Sequence, residues 1–291
     1  MRDEQTMINL ITEVAENDDR IRAVYMNGSR ANPNADRDIL MDYDVVFMVT
    51  DMKSFYEDDI ENEFIRRFGD ILYMQQPDEI DKMLGMEVDF DKCYGWLVIY
   101  EDGVRMDIHV EPADSENVYE DKMCRILLDK DGNLTDVPET TDSHRWVKTF
   151  SETEYIAVCN EFWWCLNNVV KGIRRYEIPY AQDMLNYHVR PQLVKMLEWK
   201  VGILMDYSVS IGKSGKYLSK FLDENDYELF LQTYCSSIAG EMWRSVIIMC
   251  NLFEETARYV AANLGYEYNN DEAEAAMKYL YFVKRLEDID E

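Results

Sequence analysis

Positive charge and long apolar runs are scarce in this sequence, and each shortage excludes a class of protein. Lys and Arg number 30 against 58 Asp and Glu, so the formal net charge is −28. A surface of that sign repels nucleic acid and anionic lipid. No run approaches the roughly 18 consecutive apolar residues that a membrane span needs. We therefore expect no nucleic-acid partner and no membrane association.

Metal-binding and disulfide patterns are also missing. The six cysteines form no Cys-x-x-Cys pair, and only three histidines occur, at 109, 144 and 188. A zinc site and a disulfide framework are therefore not expected, and free thiols in a reducing compartment fit better. The first 19 residues lack the basic start and the small-residue cleavage site of a signal peptide. We expect a cytoplasmic protein, either monomeric or homodimeric.

The sequence contains enough apolar residues to form a core. These residues recur with a strand-like period in some segments and a helical period in others. Hydrophobic residues make up 47% of the chain, close to the globular average. Short β-like runs alternate with helical segments up to about residue 148, and helical periodicity dominates after it. We predict an α+β fold with a mixed β-sheet flanked by helices in domain 1–148, followed by a helical bundle in domain 149–291.

The first domain is predicted to contain strands at 21–27, 42–50 and 70–75, with helices at 4–19 and 52–68. A hairpin is expected where WLVIY and VRMDIHV flank the turn EDG. In the second domain, Ser151 and Glu154 predict a capping box that opens a long helix. Further helices are predicted at 180–206, 214–222, 225–239, 241–264 and 271–287.

Three features of the first domain point to chemistry. Gly28-Ser29 follows a predicted strand, Asp42 and Asp44 share one face at the start of the next strand, and Asp107 lies inside the hairpin. Paired carboxylates within apolar strands need a compensating cation, and Mg²⁺ prefers such oxygen ligands. Each feature alone has a plainer explanation: a turn, a solvated strand end, or an Asp107 paired with Arg105. The ordered combination is far more specific.

The order of these motifs, Gly-Ser, then Asp-x-Asp on a strand, then a further strand Asp, resembles that of the DNA polymerase beta-like nucleotidyltransferase superfamily. More narrowly, the chain resembles the aminoglycoside 6-adenylyltransferases. The resemblance extends over most of the chain through the stretches RIRAVYMNGSRANPN, DILMDYDVVFMVTD, YEDGVRMDIHVEP, CNEFWWCLNNVVKGI, LNYHVRPQLVKMLEWKVGI and VGILMDYSVSIGKSGKYLSKFL. It implies transfer of AMP from ATP to a streptomycin hydroxyl, with release of pyrophosphate and antibiotic resistance as the outcome. Domain 1–148 would be catalytic, and domain 149–291 would bind acceptor and nucleotide.

The resemblance also implies site residues. Asp42 and Asp44 would ligate Mg²⁺, with two ions expected, and Asp107 would act as metal ligand, general base or both. Gly28, Ser29 and Arg30 would hold the nucleotide phosphates. The run SIGKSGKY adds the nucleotide-binding candidates Lys213, Lys216 and Tyr217, although it lacks the Walker A spacing and equally fits a solvated loop.

Acceptor-binding candidates lie on the helices of the second domain. Glu161 and Trp164 can bind a guanidinium or ammonium group through charge and aromatic face, and Asp183 can add a polar contact. The competing explanation is helix packing, because Phe162 and one of the two adjacent Trp residues must face the core. The acidic surface favours a cationic drug, but it equally fits a surface adapted for solubility.

Two alternative functions remain open at this point. A nucleotidyltransferase of the same fold can act on another small molecule or on a protein side chain. A non-catalytic nucleotide sensor is the second alternative, although such a protein would readily lose one of the three aspartates.

Overall fold

The computed structural model describes residues 1–57 and 62–286, which form two compact units, Met1–His144 and Arg145–Glu291. The first unit contains a six-stranded mixed sheet, and the second is helical. The predicted α+β class is therefore confirmed. No helix within these described ranges is long and apolar enough to cross a membrane.

The sheet of the first unit has the order β3-β4-β5-β2-β1-β6. Its only parallel pair among the described residues is β2 with β5, and the other neighbours are antiparallel. The predicted hairpin is confirmed as β4 and β5. The strands are β1 (Ile21–Met26), β2 (Tyr43–Val49), β3 (Ile71–Gln75), β4 (Tyr94–Tyr100), β5 (Arg105–Pro112) and β6 (Arg125–Asp129).

The helices of the first unit are short except for the first one. Helix α1 begins after the N-cap Asp3, whose side chain accepts a hydrogen bond from the Thr6 amide, and it buries Met7, Ile11, Val14 and Ala15. The short helices are α2 (Gly28–Ala31), α3 (Lys53–Tyr56), α4 (Glu63–Arg66), α5 (Pro77–Met83) and α6 (Asn117–Glu120), and α1 spans Glu4–Glu16.

The single helix predicted at 52–68 is wrong, since α3 and α4 are separate. Asn62 has a φ of 55°, a left-handed conformation that interrupts a right-handed helix. Residues 58–61 of that prediction lie outside the described residues. The spacing of apolar residues suggested one helix. Phe55, Phe64 and Phe68 are apolar because all three side chains pack in the same core, although they belong to different segments. Phe64 forms edge-to-face contacts with the other two.

The two faces of the sheet carry different side chains because strand residues alternate sides. One face contributes Tyr43, Val45, Phe47, Met106 and Ile108 to the main core with α1. On the opposite face, Tyr25, Val46 and Met48 pack with Val118, Cys124 and Leu134 in a smaller core. That smaller core covers only the part of this face next to the C-terminal end of β2. The N-terminal ends of β2 and β5 thus remain accessible on this face.

The second unit is a bundle around the long helix α7, which begins at Ser151. The predicted capping box is confirmed, since Ser151 and Glu154 exchange side-chain and backbone hydrogen bonds. Phe162 of α7 stacks on Phe253 at 3.7 Å between ring centroids. The helices are α7 (Glu152–Arg174), α8 (Ile178–Asp183), α9 (Arg190–Leu204), α10 (Glu224–Gln232), α11 (Ala239–Leu264) and α12 (Asn270–Arg285).

Three helical segments differ from prediction. The helix predicted at 225–239 ends at Gln232. The helix predicted at 180–206 has a π-helical stretch, Met184–Val189, between α8 and α9. The helix predicted at 214–222 is wrong, because that stretch forms the separate 3-10 turns Lys213–Gly215 and Leu218–Lys220. Ser214 and Gly215 have positive φ values of 56° and 76°, which a continuous right-handed helix excludes. Residue 287, the predicted end of the last helix, lies outside the described residues.

Candidate active site

The predicted carboxylates meet at the N-terminal ends of the two parallel strands. Asp44 on β2 lies directly opposite Asp107 on β5 in the strand register, and neighbouring strands are about 4.8 Å apart. Asp42 precedes β2 by one residue and thus shares the face of Asp44. The structure therefore brings the three aspartates together on the accessible face of the sheet.

Arg105 connects two of these aspartates. Its Nε and Nη2 atoms donate to the two carboxylate oxygens of Asp107 at 2.9 and 2.8 Å. Its Nη1 atom lies 3.3 Å from Asp42 Oδ2. The pairing of Asp107 with Arg105, which the sequence left as an alternative, is therefore present, and it extends to a second carboxylate.

The carboxylates also affect each other electrostatically. Burial raises the pKa of the Asp42 carboxyl above its ordinary value; the Arg105 guanidinium opposes this shift and the Asp107 carboxylate adds to it. In return, hydrogen bonding to Asp107 raises the pKa of Arg105. The positive charge of Arg30 also opposes the shift at Asp42. The cluster thus contains carboxylates that repel each other and cations that offset part of that repulsion.

The donor set of this cluster fits a divalent cation. In residues 1–57 and 62–286, no three Asp, Glu, His or Cys side chains already converge on one point that could hold a metal ion. The guanidinium of Arg105, however, occupies a position between Asp42 and Asp107 where positive charge is stabilised. Carboxylate oxygens are the ligands that Mg²⁺ prefers. Asp42, Asp44 and Asp107 are the residues that would hold it.

Gly28 lies against the cluster in a left-handed turn. Its φ is +66°, and a Cβ atom at this position would lie 2.0 Å from Asp44 Oδ2. The backbone amide of Asn27 also donates to the Asp44 carbonyl oxygen at 3.0 Å. Ser29 follows in the short helix α2 and is half-buried. The predicted Gly-Ser turn is thus next to Asp44.

The Arg30 side chain, predicted to bind phosphate, is buried and bonded to other residues of the first unit. Its side chain is only 3% exposed, and it donates to the carbonyl oxygens of Met41 and Asp42 at 2.7 and 3.1 Å. It also pairs with Glu4 at 3.0 Å and stacks on Tyr43 at 3.8 Å. These contacts hold the segment that leads into β2. Phosphate binding by the Arg30 guanidinium stays a prediction, and it would require these contacts to open.

Two residues near the site were not predicted. Asn27 Oδ1 is buried and has no hydrogen-bond partner within the part of the chain that the structure describes. His109 lies two residues after Asp107 on the same face, where a Cβ atom at Gly95 would come within 2.7 Å of its ring. The strand period alone could have indicated His109, whereas the burial of Asn27 depends on the tertiary fold.

Of the nucleotide-binding candidates in the second unit, Lys213 begins the first 3-10 turn, and Lys216 and Tyr217 connect it to the second. Lys213 and Lys216 are exposed, and Tyr217 is half-buried. The ammonium groups of Lys216 and Lys220 lie 5.0 and 4.6 Å from the centre of the Tyr217 ring. Lys216 of the run SIGKSGKY and Lys220, three residues after the run, thus both lie beside the Tyr217 ring. The role of this run in nucleotide binding stays a prediction.

The acceptor-binding candidates are exposed on the helices. Glu161 and Trp164 are three residues apart on α7, so they are neighbours on its surface. Trp164 is 69% exposed, while Phe162 and Trp163 are buried, which confirms that Phe162 and one Trp are core residues. Trp164 lines a groove of about 730 Å³ between α7 and α12. Asp183 is exposed at the end of α8 and does not line that groove.

Comparison with known proteins shows the class to which the chain belongs. The family model described as "Streptomycin adenylyltransferase" matches residues 1–283. The chain therefore belongs to the streptomycin adenylyltransferase family and is a nucleotidyltransferase enzyme.

Three curated relatives carry the name aminoglycoside 6-adenylyltransferase. The protein of Bacillus subtilis (strain 168) is 34% identical, with 92% of this chain and 93% of the relative covered. The Staphylococcus aureus protein is 31% identical with 94% and 95% covered, and the Campylobacter jejuni protein is 33% identical with 92% and 91% covered. A crystal structure of an aminoglycoside 6-adenyltransferase from Bacillus subtilis is 30% identical, covers 98% of this chain and 100% of its own, and gives a TM-score of 0.48.

Proposed function

We propose that this enzyme transfers AMP from MgATP to a hydroxyl of streptomycin, at the 6-position, and releases pyrophosphate. Such a modification would confer resistance to the antibiotic. The observation that carries the proposal is the register of Asp44 with Asp107 on parallel strands, in a chain of the streptomycin adenylyltransferase family. Membership of the family supports an aminoglycoside as the acceptor. That this aminoglycoside is streptomycin is our proposal.

The three aspartates hold Mg²⁺ in this proposal. When bound, two such ions lower the pKa of the attacking hydroxyl and stabilise the leaving pyrophosphate. Asp42 and Asp44 supply ligands from the start of β2, and Asp107 supplies its carboxylate from β5. Gly28 leaves room beside Asp44, and Ser29 donates a hydrogen bond to the triphosphate.

The transfer is an in-line displacement at the α-phosphorus. The acceptor oxygen forms a bond to phosphorus while the bond to the pyrophosphate oxygen breaks, and the hydroxyl proton is removed. The carboxylate of Asp107 accepts that proton, binds the metal or does both, since each role needs a carboxylate beside the reacting atoms. Asp107 is 15% exposed, which limits its access to bulk water and favours proton transfer from a bound acceptor.

The second unit binds both substrates in this proposal. Lys213, Lys216 and Tyr217 contact the nucleotide, because two ammonium groups and an aromatic ring complement phosphates and a base. Glu161, Trp164 and Asp183 contact the cationic acceptor through charge and aromatic face. A net charge of −28 also attracts a cationic drug over long range. The free thiols of all six cysteines support a cytoplasmic setting, where ATP is also present.

The test is pyrophosphate release with MgATP, comparing streptomycin with a non-aminoglycoside acceptor. Wild type and Asp107→Asn are assayed together, and Asp131→Asn serves as a control because Asp131 is a surface carboxylate of the same unit. We expect streptomycin-dependent release that Asp107→Asn lowers by about a hundred- to ten-thousandfold and Asp131→Asn leaves unchanged.

Two results would contradict the proposal in different ways. If MgATP binds but streptomycin stimulates no release, another acceptor or a sensor function replaces the proposed activity. If streptomycin-dependent release persists in Asp107→Asn, the activity holds and the assigned role of the third carboxylate is wrong.

A further inference from the structure

Arg105 is the residue whose contacts are not explained by the proposed reaction. Its guanidinium forms two hydrogen bonds with Asp107 and an ion pair with Asp42. Both aspartates are proposed metal ligands. One guanidinium therefore occupies carboxylate oxygens that a divalent cation would need.

A second arginine–aspartate pair in the same unit shows what is unusual about Arg105. Arg22 also binds both oxygens of one carboxylate, that of Asp131. The side chains of Arg22 and Arg105 are 30% and 42% exposed, so the two arginines are similarly accessible. Arg22 neutralises a single surface aspartate, however, whereas Arg105 lies among three aspartates that repel each other.

The position of Arg105 in β5 allows its side chain to move while the strand stays in place. The next residue, Met106, and then Ile108 are fully buried in the main core on the opposite face of the sheet. These contacts anchor the backbone that carries Asp107. With 42% of its surface exposed, the Arg105 side chain can rotate into solvent without opening the core.

From this geometry we infer that Arg105 is a positioning residue that holds Asp42 and Asp107 in the metal-free enzyme, and that a divalent cation must displace its guanidinium in order to bind. This inference rests on the proposed function, because it takes the aspartates as metal ligands. The enzyme then exchanges one cation beside Asp42 and Asp107 for another.

The exchange has a defined thermodynamic consequence. The contact of Arg105 with Asp42 and Asp107 exists only in the metal-free state and stabilises that state. The affinity for the metal is lowered by the same factor. Removal of the guanidinium should therefore strengthen metal binding and weaken the metal-free fold. A residue that merely supports the site would not strengthen metal binding when it is removed. A cation that only repels the metal from nearby would strengthen binding when replaced by Gln, but not when replaced by Lys, which keeps the charge.

The experiment measures Mn²⁺ binding to the nucleotide-free full-length protein by electron paramagnetic resonance, and thermal unfolding in EDTA. The variants are Arg105→Gln, Arg105→Lys and the matched control Arg22→Gln. We expect Arg105→Gln to bind Mn²⁺ about two- to fivefold more tightly, a factor typical of one ion pair. Its Tm in EDTA should fall by about 2–5 °C.

Arg22→Gln should leave the Mn²⁺ affinity unchanged. Arg105→Lys keeps the charge but loses the paired hydrogen bonds, so it should shift the affinity in the same direction by a smaller factor. If Arg105→Gln fails to fold in EDTA, the Mn²⁺ affinity of Arg105→Lys serves as the test instead.

Unchanged or weaker Mn²⁺ binding in Arg105→Lys would overturn the inference, even if Arg105→Gln binds more tightly, because loss of charge alone explains a gain confined to Arg105→Gln. Asp42→Asn and Asp107→Asn, measured in the same way, separate this failure from failure of the proposed function. If they bind Mn²⁺ as wild type does, the aspartates are not the metal site and the proposed mechanism fails. If they lose Mn²⁺ while the Arg105 variants gain nothing, the metal site holds and only the displacement by Arg105 is wrong.

Discussion

Gly28 and Asp44 are in such close contact that a Cβ atom at Gly28 would lie 2.0 Å from Asp44 Oδ2. The contact connects the turn after β1 with the first carboxylate of β2. Together with the hydrogen bond from the Asn27 amide to the Asp44 carbonyl oxygen, it sets where that carboxylate lies. The glycine of the Gly-Ser pair is thus needed for the position of the Asp44 carboxylate.

Substitution of Gly28 by alanine should therefore damage catalysis beyond its cost in stability. We expect Gly28→Ala to lower kcat by at least about a hundredfold, since a shift of about 1 Å in a catalytic group has effects of this size. The measurement is streptomycin-dependent pyrophosphate release together with urea unfolding.

Gly132→Ala is the matched control for Gly28→Ala. Gly132 has nearly the same φ, +68°, but a Cβ atom there would meet nothing within 4 Å. It should cost about 1–2 kcal/mol of left-handed strain and leave kcat unchanged. Equal effects of the two substitutions on kcat would show that the contact with Asp44 is unimportant.

Arg30→Lys should reveal whether this arginine positions Asp42 or binds phosphate. Lysine cannot reproduce the separate hydrogen bonds that Arg30 makes with Met41, Asp42 and Glu4. We expect the free energy of unfolding to fall by about 2–3 kcal/mol and kcat to fall with it. The measurements are urea unfolding and steady-state kinetics in MgATP.

The control is Arg37→Lys, because Arg37 pairs with the same Glu4 at 3.8 Å and is 42% exposed. Its effect on stability should stay within about 0.5 kcal/mol. A rise in KM for MgATP with unchanged stability in Arg30→Lys would instead favour a direct phosphate contact.

The adjacent tryptophans of α7 should behave in opposite ways. Trp163 is 3% exposed in the helical core, so Trp163→Ala should lower the free energy of unfolding by about 3–5 kcal/mol. Trp164 is 69% exposed, so Trp164→Ala should change stability by less than about 0.5 kcal/mol. If Trp164 contacts the cationic acceptor, its removal raises KM for streptomycin about tenfold, with KM for MgATP unchanged. Unaltered KM values for both substrates would exclude Trp164 from the acceptor site.

Asp18 should make the stability of the first unit depend on pH. Hydrogen bonds from Arg20, and a further one from Arg67, hold the pKa of this buried carboxyl well below its ordinary value. The folded state therefore binds the proton less readily than the unfolded state near pH 4. The stabilisation is complete above that pH and is lost as the pH falls.

Urea unfolding at pH 7 and pH 3 tests this dependence. Asp18→Asn should be less stable than wild type by about 1–3 kcal/mol at pH 7, and the difference should shrink at pH 3. Asp131→Asn removes an exposed carboxylate, whose pKa Arg22 also lowers. Its effect on the free energy of unfolding should be smaller than that of Asp18→Asn at pH 7. An equal loss at both pH values in Asp18→Asn would mean that packing, and not charge, explains its effect.

Local patterns were sufficient to predict several parts of this protein. The hairpin of β4 and β5 follows from alternating side chains on both sides of a glycine turn. The start of α7 follows from Ser151 and Glu154, which satisfy each other within one helical turn. The spacing of Asp42 and Asp44 places them on one face of a strand, because the strand period is two. Each prediction depends on residues a few positions apart.

Other parts required contacts between distant residues. Strand β6 was not predicted, since it is stabilised by pairing with β1 about a hundred residues earlier. The run from 214 to 222 has the apolar spacing of a helix, but positive φ values at Ser214 and Gly215 end that helix. The burial of Arg30 could not be predicted either, because Glu4 and Met41 come together only in the folded sheet.

The sequence by itself determined the α+β class through its residue periods, and the family through stretches spread over most of the chain. It also placed Asp42 and Asp44 on one face, because their spacing matches the strand period. Tertiary structure alone decided that Asp44 faces Asp107 across parallel strands, that Gly28 touches Asp44 and that Arg105 bridges Asp42 and Asp107. Strand register and side-chain contacts are set by packing of the whole sheet, in which residues more than sixty positions apart become neighbours.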